Sequence, residues 1–224
     1  MKTIIIAEIG VNHNGKLALA KEMISAASLA GADIVKFQTY NAEDLVLKTS
    51  SKANYQLKNS RKKETQYIML KNLQLSKNDH FLLIKHCKKF NIEFLSTGFD
   101  LKSLKFLSSI DLPYYKIPSG EITNVPYLRF VAKENKPIIL STGMSYLSEV
   151  KFALEQLIIH GANKEDITVL HCNTAYPTKM YDVNLNAMNT LKDKLDINVG
   201  YSDHTIGVEV PIAAVSLGAK IIEK

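Results

Sequence analysis

The chain has 224 residues, 46% hydrophobic and 22% charged, which suits one domain around one sizeable core. No apolar run reaches the roughly 18 residues of a membrane span, and no export signal precedes the first strand-like run, so a cytoplasmic protein with no membrane partner is expected. The net charge of +6 comes without a nucleic-acid motif; apart from a cluster at Arg61-Lys62-Lys63, the basic residues are spread along helical segments and read as a solvated surface rather than a nucleic-acid face, though a basic pocket for an anionic metabolite fits the same charge.

Short β-branched runs alternate along the chain with longer amphipathic stretches, the pattern of a parallel sheet covered by helices. Strands are predicted at residues 3–9, 33–38, 92–97, 114–117, 137–141, 167–172, 198–202 and 219–223. Helices are predicted between them, for example at 17–30, 78–90, 145–160 and 207–217, with Gly31, Gly161 and Gly218 as stop signals. Residues 40–64, a long polar stretch before the next convincing helix, read either as a lid or as a disordered insertion. Cys87 and Cys172 sit in apolar contexts without metal-ligand spacing, which predicts buried free thiols.

Eight strands with seven helical connections fit an α/β fold of the (β/α)8 TIM-barrel type, and a doubly wound open sheet would look alike at this level. Polar residues decide for the barrel. Glu8, Lys36 with Gln38, Ser96 with Thr97, Lys116 with Ser119, Ser141 with Thr142, His171 with Asn173, and Ser202-Asp203-His204 all fall at strand C-termini, which a closed barrel gathers into one mouth. Lys36 and Lys116 end strands of otherwise buried type, where an ammonium is costly unless an anion answers it. Each lysine could be held in a structural ion pair, for instance with Glu8 or Glu121. Together, and with Thr97, Ser119, Ser141, Asn173 and Ser202 as donors, they favour a site for a phosphate and a carboxylate. His204 at its strand end reads as a metal ligand, a general base or a satisfied core histidine. His13 lies in a turn, and Tyr176-Pro177 presents an aromatic ring on a rigid loop or simply packs a turn.

The segments AEIGVNHNG (7–15), VKFQTY (35–40), YKIPSGEITNVPYL (115–128), IILSTGM (138–144), LHCNTAYPT (170–178) and GYSDHT (200–205) resemble N-acetylneuraminate (sialic acid) synthases, with legionaminic and pseudaminic acid synthases as close sisters. The resemblance runs from Ala7 to Lys224, with the motifs in family order and spacing. It implies a metal-dependent condensation of phosphoenolpyruvate with N-acetylmannosamine or a related 2-acetamido sugar, releasing phosphate. By similarity, phosphoenolpyruvate would be held by Lys36, Thr97, Lys116, Ser119, Ser141, Asn173 and Ser202, and the sugar would be faced by Glu8, Gln38 and Tyr176. His204 matches one of two histidine ligands of a divalent metal, manganese (Mn2+) or magnesium (Mg2+). Glu8, Glu121 and His204 would be catalytic, with Glu121 the first candidate for a carboxylate at carbon 2 and Glu8 the second.

Departures from the family pattern are Gly98 in place of a common proline, Ala175 where glutamate is frequent, and Lys179 where proline is frequent; the last two leave the choice of sugar open. The resemblance also implies a homodimer in the full-length family and a continuation past the position of Lys224 with the second histidine, an eighth helix and an antifreeze-like domain. The chain is therefore expected to be an incomplete barrel over residues 1–224, with an uncovered apolar strip beside its last strand. Three alternatives stay open: a legionaminic acid synthase, another phosphoenolpyruvate aldol synthase that takes a sugar phosphate, and a catalytically incomplete fragment that only binds ligand.

Overall fold

In the computed structural model, residues 2–53, 56–57 and 64–224 are described. Eight parallel strands form one sheet in the order β3-β2-β1-β8-β7-β6-β5-β4. They are β1 (Ile4–Gly10), β2 (Ile34–Thr39), β3 (Glu93–Gly98), β4 (Tyr115–Ile117), β5 (Ile138–Ser141), β6 (Ile167–Cys172), β7 (Asn198–Ser202) and β8 (Ile221–Glu223). The first and last strands pair, Ile4 with Ile221 and Ile6 with Glu223, so the sheet curls on itself. β3 and β4 run side by side at the remaining seam without ladder pairing. A near-closed TIM-type barrel results, as the strand-end polarity predicts, and every predicted strand forms with its ends shifted by at most two residues.

The connecting helices are α1 (Leu17–Leu29), α2 (Ala42–Leu45), α3 (Gln66–Leu73), α4 (Lys77–Lys89), α5 (Leu101–Ser108), α6 (Val125–Ala132), α7 (Leu147–Ile159), α8 (Asn186–Leu195) and α9 (Glu209–Ser216). Their starts follow local chemistry. Ser76 and Asp79 form a reciprocal capping box at α4, Asp100 caps α5 by accepting from Ser103 N, and Asn124 caps α6 just ahead of Pro126. Gly31, Gly161 and Gly218 take positive φ just beyond α1, α7 and α9, as predicted.

Strand period explains the interior. Ile6, Ile34, Leu95, Ile139, Leu170 and Ile221 form an apolar layer inside the barrel. Two residues further along the same strands, on the same face, stand Glu8, Lys36, Thr97, Ser141, Cys172 and Glu223. Alternate residues point outward into two larger clusters beneath the helices, one under α1, α4 and α5 and one under α6 to α9. The core thus ends in a polar layer at the C-terminal mouth, where sites of this fold sit.

Residues 40–64 are not the uniform polar stretch the composition suggests. Tyr40 and Ala42 are buried, Asn41 caps α2, and Lys52 is buried against Glu64 at 3.3 Å. Residues 54–55 and 58–63 of that segment, with Arg61-Lys62-Lys63, lie outside the described residues. At the last strand the expected apolar strip is only partial: Ile221 and Ile222 are buried, while Ile5 of β1 and Ile212 of α9 are exposed. Cys87 and Cys172 are buried free thiols, as expected. No described helix is long and apolar enough to cross a membrane.

Across the open seam, the Tyr127 hydroxyl of α6 donates to the Gly98 carbonyl at the end of β3, 2.6 Å away and fully buried. Tyr127→Phe removes this bond without changing shape, and urea unfolding should show a loss of about 1–2 kcal/mol. An unchanged midpoint would mean the bond does not hold the seam.

Candidate active site

The barrel mouth opens into a cavity of about 1350 Å³. Its floor is a cluster of charges that the strands hold in place. Lys36 Nζ lies 2.6 Å from Glu8 Oε2 and 3.8 Å from Glu223 Oε2, and Lys116 Nζ lies 3.8 Å from Glu223 Oε1. Lys116 also donates to Ser141 Oγ at 2.7 Å, Ser202 Oγ donates to Glu223 Oε1 at 3.0 Å, and Lys36 reaches Thr97 Oγ1 at 3.4 Å. Parallel register accounts for two of these contacts, since Glu8 stands beside Lys36 and Ser202 beside Glu223 on neighbouring strands. The ion pair between Lys36 and Glu8 is the structural pairing that the sequence left open.

The four charges are not equivalent. Burial alone would pull Lys36 down, but Glu223 and Glu8 together outweigh it, and the ammonium is held above its ordinary pKa. Burial also acts on Lys116, and there it wins, because Glu223 answers only in part and Lys36 repels; its pKa is lowered. Glu8 is raised, burial outweighing the pull of Lys36. Glu223 is lowered: burial pushes it up, but Lys116 and Lys36 pull it further down. The mouth therefore holds one well-answered lysine, one under-answered lysine, a carboxyl that keeps its proton more readily and a carboxylate that gives it up.

Ser119 also lines the mouth, brought in by a tight turn: a Cβ on Gly143, at φ +54°, would stand 2.5 Å from the Ser119 side chain. Gln38 lines it and reaches Glu8 Oε1 at 3.5 Å. Tyr176 and His204 line it together, their ring centres 4.3 Å apart. His204 Nδ1 donates to the Asn173 carbonyl at 2.8 Å, which puts the proton on Nδ1 and leaves Nε2 as an acceptor; burial lowers its pKa and keeps the ring neutral. That is the form a metal ligand needs. Yet no group of three or more His, Cys, Asp and Glu among the described residues is placed to hold a metal, and His204 is the imidazole that lines the mouth.

Two sequence candidates stand outside the lining. Asn173 turns its amide to the Asp182 carbonyl at 2.8 Å, and its own carbonyl orients His204. Glu121, in the short 3-10 turn Ser119–Glu121, accepts from Asn124 Nδ2 at 2.6 Å, whereas Ser119 and Gly120 of the same turn do face the cavity. His13 is buried and accepts from Gly15 N through Nδ1.

Sequence reasoning missed Glu223, although the alternation that selects Glu8 also points the last residue of β8 inward. It missed the Lys224 ammonium too, which donates to the buried Asp203 carboxylate at 2.5 Å and ties the end of β8 to the turn carrying His204. Cys172 sits on the floor and accepts from Gly143 N at 3.2 Å.

The NeuB family profile matches residues 23–224. This chain belongs to the NeuB family. It is 53% identical to the N,N'-diacetyllegionaminic acid synthase of Campylobacter jejuni over its whole length, which is 67% of that protein. The corresponding figures for the N,N'-diacetyllegionaminic acid synthase of Legionella pneumophila are 52% and 64%. The chain thus spans about two thirds of the curated relatives it matches. Among solved structures, the N-acetylneuraminic acid (sialic acid) synthetase of Leptospira borgpetersenii in complex with citrate superposes with a TM-score of 0.87 at 36% identity, covering 100% of this chain and 73% of that one.

Breaking one side of a buried charge cluster leaves the other uncompensated, so Glu223→Gln should cost about 3 kcal/mol at pH 7. The folded-state pKa of Glu223 is lowered, so its contribution is present above the ordinary carboxylate value of 4.5 and fades as pH falls through the folded value. Denaturant unfolding of both proteins at pH 7 and pH 4 should show the gap narrowing at the lower pH. A gap that widens would reverse the assigned direction.

Proposed function

We propose that this chain is the catalytic barrel of a nonulosonic acid synthase that condenses phosphoenolpyruvate with an N-acetylated amino sugar and releases phosphate. The under-answered Lys116 carries the reading. Held among Ser141, Glu223 and Lys36 on a buried floor, it gains most from an incoming anion, and Ser119, Ser141, Ser202 and Thr97 line the same mouth with their hydroxyls. A phosphate with a carboxylate on the same small molecule suits two lysines on adjacent parts of one floor.

The reaction joins carbon 3 of phosphoenolpyruvate to the sugar aldehyde carbon. Water adds at carbon 2, and the C–O bond to phosphate breaks. Three proton movements are required: one to the aldehyde oxygen, one from the attacking water, and one from the resulting carbon-2 hydroxyl, which leaves with the phosphate as the C–O bond breaks and the keto group forms. Glu8, held raised, suits the donor, and Glu223, held lowered, suits the acceptor. Lys36, paired to both carboxylates, fixes their separation. Tyr176 and Gln38 line the mouth and would face the sugar in this reading. The family resemblance brings a divalent metal, Mn2+ or Mg2+, into this reading. It would polarise the aldehyde as a Lewis acid; His204 Nε2 offers it one donor, and the chemistry assigned to this chain is that of its own side chains.

For the sugar, the sequence puts N-acetylmannosamine first. Identities of 53% and 52% to two N,N'-diacetyllegionaminic acid synthases, against 36% to a sialic acid synthetase, favour the legionaminic alternative.

Calorimetry with phosphoenolpyruvate tests the floor. Lys116→Met should weaken binding at least about tenfold, the loss of one charge-assisted contact. It should not lower the melting temperature much, because the charge it removes is one that burial already disfavours. Unchanged affinity would sink the anion-site reading. Phosphate release on adding an N-acetylated sugar tests the synthase reading as a whole.

A further inference from the structure

The mouth has a second wall, made by α3, that phosphoenolpyruvate chemistry does not use. Helix α3 carries Met69, Leu70 and Leu73, yet none of its residues is fully buried. Met69 and Leu73 are one turn apart on one face, and all three line the cavity, with Phe99 beside them. An apolar helix face ordinarily packs into a core; this one faces the open mouth.

The wall is built in place. Thr65 caps α3 by accepting from Ile68 N, the Tyr40 hydroxyl donates to the Leu70 carbonyl at 3.1 Å, and Gln74 accepts from Ala42 N at 3.0 Å. At the far end the Asn72 carbonyl presses on the β1–α1 turn so closely that a Cβ on Gly15, at φ +71°, would lie 2.2 Å from it. Asn14 and Asn72 also line the cavity; the Asn14 amide nitrogen donates to the Asn12 carbonyl at 3.2 Å and leaves its oxygen to the cavity, and the Asn72 side chain makes no hydrogen bond among the described residues. The cavity, at about 1350 Å³, exceeds the roughly 300–1,000 Å³ of ordinary ligand pockets.

We propose that the α3 face, Met69, Leu70 and Leu73 with Phe99, and the amides of Asn14 and Asn72, form a subsite for a second N-acyl arm on the sugar. The inference rests on the synthase reading above and adds the residues that choose the sugar. An acetamido group needs two surfaces at once: apolar contact for its methyl, and amide partners for its N–H and C=O. A hydroxyl placed there would lose water and gain only part of that pairing. Phosphoenolpyruvate contributes three carbons and no nitrogen, so a diacetylated product requires both acetamido groups on the sugar. N-acetylmannosamine has one.

The test is the ratio of dissociation constants for a diacetamido aldose and for N-acetylmannosamine, measured by calorimetry with phosphoenolpyruvate present. Wild-type protein should prefer the diacetamido sugar. Leu73→Asn and Met69→Gln, on half-buried helix positions, should each reduce that preference about tenfold, the size of one methyl-scale discrimination. Leu29→Asn, at the exposed end of α1, should leave it unchanged. Thermal melts establish that each variant is folded, and the two variants stand in for one another if one is not. A ratio unmoved in the folded variants, or no preference in wild type, overturns the α3 assignment while the synthase reading stands. Failure of the wild-type protein to bind phosphoenolpyruvate overturns that reading, and the subsite with it.

Discussion

Two ammonium groups buried inside a barrel must be answered by carboxylates, and everything at the mouth follows from how this is done. Lys36 and Lys116 come from β2 and β4, on one side of the molecule, while Glu8 and Glu223 come from β1 and β8, the strands that close the sheet. Closure and charge balance are therefore one event. Without β8 the lysines would face each other with Glu8 as their sole carboxylate, and burial would force a proton off one of them. The same packing that completes the apolar layer at Ile221 delivers Glu223 two residues later.

The balance is uneven, and the unevenness is what gives the floor chemical character. A fully satisfied cluster would be inert. Here Lys36 is held by two carboxylates and Lys116 by one at 3.8 Å, so Lys36 is the better answered cation and Lys116 has more capacity left. The carboxylates divide in the same way, with Glu223 drawn toward both lysines and Glu8 toward one. A polar floor of this kind beside the apolar wall of α3 makes the mouth amphipathic, which suits a ligand charged at one end and acylated at the other.

Most of the barrel was legible because its signals are local. β-branched runs, glycine stops and capping residues each act within a few positions, and every predicted strand forms. Cavity-lining residues on strands were legible for the same reason: period two puts Lys36, Thr97, Ser141 and Ser202 on the inner face whatever the rest of the chain does. Residues beyond strand ends follow turn geometry instead. Glu121 lies two positions past Ser119 in a 3-10 turn and finds Asn124, and Asn173 turns to the loop carbonyl of Asp182. No pattern in the sequence announces those turns. Glu223 was readable by the strand rule and overlooked, since its strand is only three residues long. The α3 wall was not readable, because contacts from Tyr40 and Ala42, far along the chain, place that helix.

The pairing of β1 with β8 joins the two ends of the chain, Ile4 to Ile221 and Ile6 to Glu223. Contacts so distant in sequence form late, after the loop-closure entropy of the whole barrel has been met by other pairings. During synthesis, seven strands leave the ribosome before the carboxylate that balances their lysines. Until that strand docks, the nascent barrel carries an excess positive charge at its centre and an open edge on β1 and β7, a combination that resists premature collapse of the mouth and attracts stray strands to its rim. The charged floor is thus also a record of folding: a chain that has assembled it has, by the same step, paired the edges of β1 and β7.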